Sequence, residues 1–265
     1  MTARQRHASL KLKCALHGAL HGALRVAAWA TISCVGLSSA VSYAKSDQAD
    51  HSRSFEVSAE CAKGATRVLI AAHLSPRDPK IKSPSVKGVK LDDDRAWLAA
   101  QVSEANRLFA RLKVCFVLRR VGSLPARDGV MKTRSQRTAL GGAKSAKGNQ
   151  KERIKRGRVD LFIVNRLGDV DVPGAEIRGV HWRDPQDRTR RRWIILSRIA
   201  RPKVLAHELG HYFDLPHSRY ASSIMNKRPR AKPPMRERGF VSAEYAKMSA
   251  AWKRMRGSGH LKPLE

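Results

Sequence analysis

Between His207 and His217 the chain reads HELGHYFDLPH, which brings three imidazoles and a carboxylate into one short stretch. If residues 207–213 are helical, His207 and His211 stand one turn apart on the same face and can grip one metal ion through neutral ring nitrogens. Glu208 then lies beside that face, where a carboxylate can take a proton from water at the metal without being a ligand itself. Pro216 argues that the helix has ended and the chain has turned, which can bring His217 round as a third ligand. Three protein ligands and an open fourth position are what a catalytic zinc needs. Paired histidines also occur on ordinary amphipathic helices, solvated or hydrogen-bonded. The third histidine, together with Met225 in SSIMN, separates this stretch from those.

With these residues the chain resembles the metzincin clan of zinc peptidases, of the secreted bacterial, matrixin- or reprolysin-like kind. The clan's pattern is HExxHxxGxxH followed by a methionine-bearing turn under the metal. His207, Glu208, His211, His217 and Met225 fall in register, while Asp214 stands where the clan carries glycine. That glycine supplies a left-handed turn residue, and aspartate is one of the few others that visits positive φ, at a cost of roughly 1 kcal/mol. Asp214 could be a hydrogen-bond partner for a ligating histidine, or in a different geometry replace His217 as ligand; His217 ranks first. A different zincin arrangement would use Glu237 or Glu244 in the third place, although an acid at Glu244 is already explained by the dipole of the last helix.

The resemblance implies Zn2+ as cofactor and a protein or peptide substrate, cleaved by a zinc-bound water that Glu208 deprotonates. Tyr220 is a possible oxyanion donor with no motif behind it. The implied fold is an α/β (α+β) zincin. It has a twisted, mixed five-stranded sheet, two long helices of which one carries HExxH, and a small helical C-terminal subdomain.

The elements that must position these residues can be followed along the chain. TRVLIAAH, 66–73, reads as a buried first strand. LDDDRAWLAAQVSEANRLFARLK places Leu98, Val102, Ala105, Phe109 and Leu112 at alternating spacings of four and three, an amphipathic helix with aspartates at its start. Strands follow at 114–121, 159–165, 176–182 and 193–197, the second reached through a helix and so expected to be parallel. GVHW, 179–182, is the candidate open edge, where an extended peptide could add as a further strand. The metal helix is expected to start near Pro202. A last helix is expected with Ser242 as N-cap, Tyr245, Met248, Trp252 and Met255 on one face, and Gly257 closing it.

At the N-terminus, Arg4, Arg6, Lys11, Lys13 and Arg25 precede an apolar run over 26–41, and Ser42 and Ala44 offer a small-x-small cleavage site. The expected organisation is a signal peptide at 1–44 and a linker at 45–65. A catalytic subdomain at 66–217 and a Met-turn with a helical subdomain at 218–265 complete it. Cys34 makes only a weak lipoprotein box, and lipidation is not expected. Export makes a Cys61–Cys115 disulfide plausible, against two buried free thiols. A secreted or periplasmic monomer of bacterial origin, with no membrane span once the leader is cleaved, is the expected form.

Charge is the second strong signal, 53 Lys and Arg against 22 Asp and Glu, or +31 at pH 7. The stretch 131–158 carries ten bases and one acid, Glu152, and is expected to be a flexible surface loop or hairpin. Arg183, Arg188, Arg190, Arg191 and Arg192 form a second cluster where substrate would pass. So basic a surface could select acidic substrates or attach to an anionic polymer; without interleaved aromatics, no specific nucleic acid is expected. The alternative function is therefore a non-catalytic, zinc-containing protein that binds a polyanion or cell surface.

Overall fold

Alternation sets the two faces of the central sheet. Val159, Leu161 and Ile163 join one apolar cluster with Ile194 and Leu196, whereas Phe162 and Val164 join another with Trp193 and Ile195. Both sides of these strands are buried, as a sheet covered on two faces requires. The structure, a computed structural model, describes residues 55–58, 60–81, 84–86, 89–90, 93–142, 153–184, 187, 190–228 and 232–265. The leader expected at 1–44 lies outside them.

In chain order the strands are β1 (Glu56–Ser58), β2 (Thr66–Leu74), β3 (Ser85–Val86), β4 (Val89–Lys90), β5 (Val114–Ser123) and β6 (Val130–Met131). They continue with β7 (Val159–Val164), β8 (Arg166–Leu167), β9 (Gly179–Arg183) and β10 (Arg192–Ser197). The helices are α1 (Asp94–Phe109), α2 (Arg134–Leu140), α3 (Val204–Tyr212) and α4 (Ser242–Gly257). The main sheet runs β1-β5-β2-β7-β10-β9. β5, β2, β7 and β10 are parallel, and β1 and β9 close the two edges antiparallel.

The expected five strands are β2, β5, β7, β9 and β10, but the sheet has six. The sixth, β1, comes from the stretch read as a linker; three residues are too few to show an alternating pattern. Two further corrections concern helices. The basic stretch 131–158, expected as loop or hairpin, holds α2 in its described part. Thr133 Oγ1 accepts from Gln136 N and the Gln136 side chain accepts from Thr133 N, a reciprocal cap. The last helix begins at Ser242 instead of being capped by it, and Glu244 accepts from Val241 N at 2.9 Å.

α1 forms because Asp93 accepts from Arg95 N and Ala96 N, and because Trp97, Leu98, Val102, Ala105 and Phe109 bury one face on the sheet. The same face carries two polar clamps. Asn106 exchanges two hydrogen bonds with the backbone of Phe116 on β5. Gln101 donates to Ala200 O and Arg201 O and accepts from Leu205 N, which fixes the start of α3. That helix begins at Val204, two residues past Pro202, and Trp97 Nε1 donates to Ala200 O beside it.

Cys61 and Cys115 are joined in a disulfide, tying the approach to β2 onto β5 across 54 residues of sequence. A closed loop of this length contributes about 2–4 kcal/mol by restricting the unfolded chain. Replacing both cysteines by serine should therefore lower the unfolding free energy by that amount, seen as a lower urea midpoint together with a somewhat steeper slope as the unfolded chain expands. An unchanged midpoint would show that the bridge does not stabilise the fold. Among the described residues no helix is long and apolar enough to cross a membrane.

Candidate metal centre

α3 is pressed into place from two sides at positions where only glycine fits. A Cβ on Gly210 would meet Met225 Sδ at 2.6 Å and Phe240 at 3.0 Å, and one on Gly179 of β9 would meet Val204 at 2.7 Å and Glu208 Cγ at 3.0 Å. Met225 is wholly buried, so its thioether cannot swing away cheaply. The methionine turn thus lies directly against the helix that carries the histidines.

His207 Nδ1 lies 2.7 Å from Ile224 O, and His211 Nδ1 lies 2.7 Å from Leu215 O. A carbonyl can only accept, so both Nδ1 atoms carry the proton and both Nε2 atoms are bare lone pairs. His217 Nε2 stands 3.2 Å from His211 Nε2, and a ligand atom from each of the three rings lies within 4.8 Å of the other two. Nitrogens about 2.0–2.1 Å from a tetrahedral zinc are roughly 3.3 Å apart, a separation that the His211–His217 pair matches. Burial lowers the pKa of His207 and of His211; burial and then the neighbouring His211 bring His217 down to about 4. All three rings are neutral at pH 7, the form in which imidazole binds metal. These three histidines could hold a metal ion.

Glu208 is buried, and its Oε2 accepts from His181 N on β9 at 2.7 Å. Burial pushes its carboxyl up to about 7, against the opposing effects of His211 and the His181 N–H. Among the described residues β9 pairs only with β10, and the His181 N–H that Glu208 accepts is one not used in the ladder. The carboxylate therefore ties the histidine helix to the outer side of β9.

Asp214 takes φ +64°, the left-handed turn that glycine would supply. Neither role considered for its carboxylate is met. Oδ1 accepts from Arg192 at 2.8 Å and Oδ2 from Arg254 at 2.6 Å, while the His207 and His211 rings are held by backbone carbonyls. Burial would raise its pKa, but the two guanidiniums outweigh that and hold it below the ordinary carboxylate value. Its side chain closes α3 onto β10 and α4, and Arg192 also donates to Tyr212 O at 2.7 Å.

Glu244 is likewise absent from the metal group. It accepts from the Ser223 hydroxyl at 2.8 and 2.9 Å, and Ser223 Oγ in turn accepts from Met225 N at 2.9 Å. Glu244 thus shapes the methionine turn. Glu237 is exposed beside Arg236. Tyr220 is exposed, with the Arg219 guanidinium 5.6 Å from its ring centre.

Two further histidines surround the site without joining it. Burial, with Arg192 next, lowers His181 to about 3; burial and Arg192 also lower His260, whose Nε2 is 3.2 Å from Tyr212 Oη, to about 4. Both fold neutral, whereas the unfolded chain takes up their protons near pH 6.5. Proton uptake by the unfolded state means that stability is complete above about pH 6.5 and falls as pH drops toward 4, by up to about 1 kcal/mol per pH unit for each ring. Thermal melts of chelated protein at pH 7.5, 6 and 5 should descend in that order, and less steeply in His260→Gln. An equal fall in the unsubstituted and His260→Gln proteins would refute the neutral assignment of His260, whereas the total slope also contains the opposing contribution of Glu208.

No family model matches the chain, and no curated protein matches it in sequence. Among solved structures it is similar to the archaemetzincin of Methanopyrus kandleri at 16% identity and a TM-score of 0.40, over 72% of this chain and 98% of that one. It is also similar to a chain of a chaperone–substrate complex at 13% identity and a TM-score of 0.44, over 72% of this chain and 38% of that one. At these scores neither likeness bears on what the site does.

Proposed function

We propose that the protein is an exported zinc-dependent endopeptidase whose metal is held by His207, His211 and His217 and whose general base is Glu208. The observation that carries this reading is the 2.7 Å contact from Glu208 to the His181 backbone, because it sets a buried carboxylate between the three converging rings and an unpaired strand edge. A buried carboxylate costs several kcal/mol, which a site that only held metal would have no reason to bear. The disulfide supports export, since such bonds persist in oxidising compartments.

Zinc, when bound, supplies a Lewis acid that polarises a carbonyl and acidifies water. The rest falls to the chain. Apart from the His181 N–H, which Glu208 occupies, the outward N–H and C=O groups of β9 would let an extended peptide align as an added strand beside the histidines. Glu208 Oε takes a proton from water as that water's oxygen bonds to the peptide carbonyl carbon. The C–N bond then breaks, and Glu208 returns the proton to the departing amine, so the carboxylate is regenerated.

The test is cleavage of a proteome-derived peptide library by zinc-loaded and chelated protein. Cuts that vanish on chelation and return with zinc support the reading. A folded, zinc-loaded protein that cuts nothing overturns it, in favour of a protein that only binds polyanions.

A further inference from the structure

A cavity of about 250 Å³ adjoins the metal centre and shares His217 with it. Leu215, Pro216, Tyr220 and Ala243 are its less polar lining, and its size suits one side chain better than a whole small-molecule ligand. Arg219 and Lys247 stand on its wall, both exposed, and neither makes an ion pair among the described residues. The acid in the same wall, Glu244, is buried and already accepts from Ser223 and Val241 N. Nearby Asp214 is likewise committed, to Arg192 and Arg254. The wall therefore holds two exposed cations against one buried carboxylate that is committed to Ser223 and Val241, which leaves it net positive. A third base, Lys227, acts electrostatically on all three metal-site histidines from the turn after Met225.

We propose that this cavity selects substrates bearing an aspartate or glutamate side chain close to the scissile bond, with Arg219 and Lys247 as the specificity-determining residues. The proposal rests on the peptidase reading for its catalytic meaning, and it can be tested without catalysis. An apolar floor seats the methylene groups of the acidic side chain, and the two cations meet its carboxylate at the rim. Arg219 is steadied by its stacking on Tyr220, so its guanidinium loses less freedom on binding. A neutral amide of the same shape would fill the space without meeting either charge.

The experiment uses full-length, zinc-loaded Glu208→Gln protein, which holds peptide without cutting it. Binding of a fluorescent peptide rich in Glu is compared with that of its Gln counterpart. We expect about tenfold tighter binding of the acidic peptide, the sum of two partly exposed pairs. The preference should disappear in a variant also carrying Arg219→Glu and Lys247→Glu, and persist in one carrying Lys63→Glu and Lys132→Glu, which changes net charge equally away from the cavity. The milder Arg219→Ala and Lys247→Ala should each remove part of it, and both retain the fold because these side chains are exposed. Equal binding of the two peptides, or equal loss of preference in both charge-reversed variants, overturns the pocket. Chelator-sensitive cleavage by the unsubstituted protein is scored separately, so a failure of the peptidase reading remains distinguishable from a failure of the pocket.

Discussion

If the protein is the proposed zinc peptidase, replacing Glu208 by alanine should lower peptide turnover about 10²–10⁴-fold while zinc content stays the same. That range is the usual contribution of a positioned general acid–base, equivalent to about 3–5 kcal/mol of barrier. Glu208 bonds to His181 N and lies one residue from His207, so a structural explanation of lost activity must be excluded. Glu208→Gln separates the two, since its amide oxygen can still accept from His181 N while taking no proton from water. Both variants should therefore be nearly inactive, with the glutamine form melting at or above the unsubstituted protein once a buried charge is gone. Full turnover in either variant, measured on any peptide the protein cleaves, would remove Glu208 from the mechanism.

Chelation should lower the melting temperature by about 8–16 °C. Free zinc a thousandfold above its dissociation constant stabilises the fold by about 4 kcal/mol, and a domain of roughly 200 residues responds by about 2–4 °C per kcal/mol. The three histidines come from both sides of the Asp214 turn, so an ion held by them would join the end of α3 to the chain leading to the methionine turn. His211→Ala should lower the melting point and abolish the difference between chelated and zinc-supplied samples. Identical melts of the unsubstituted protein with and without chelator would refute a tightly held ion.

Much of this site can be read from the sequence because its parts are close along the chain. His207, Glu208 and His211 need only a helical period, and Asp214 tolerates the left-handed turn that its position imposes. β10, which leads into α3, shows a continuous apolar run over 193–196. The supports of the site are not legible in this way. Gln101 holds the start of α3 from about a hundred residues upstream, and Arg192 and Arg254 reach Asp214 from separate elements. A glutamine within an amphipathic helix carries no mark of its partner, because neither periodicity nor spacing encodes a contact between distant segments. α2 is a different kind of miss. Thr133 and Gln136 carry a readable capping pattern, and the dense surrounding charge masked it.

The hold on His207 passes through Ile224 O, and the turn that contains it is shaped by Ser223 under the grip of Glu244, well beyond the last ligand in the chain. Order of synthesis therefore matters. A nascent chain that has produced every ligand, and even the base, still lacks the part that aims the first imidazole. The three-histidine group is therefore held only once the beginning of α4 has emerged and folded back, so the geometry that could take a metal arrives late in the making of each molecule.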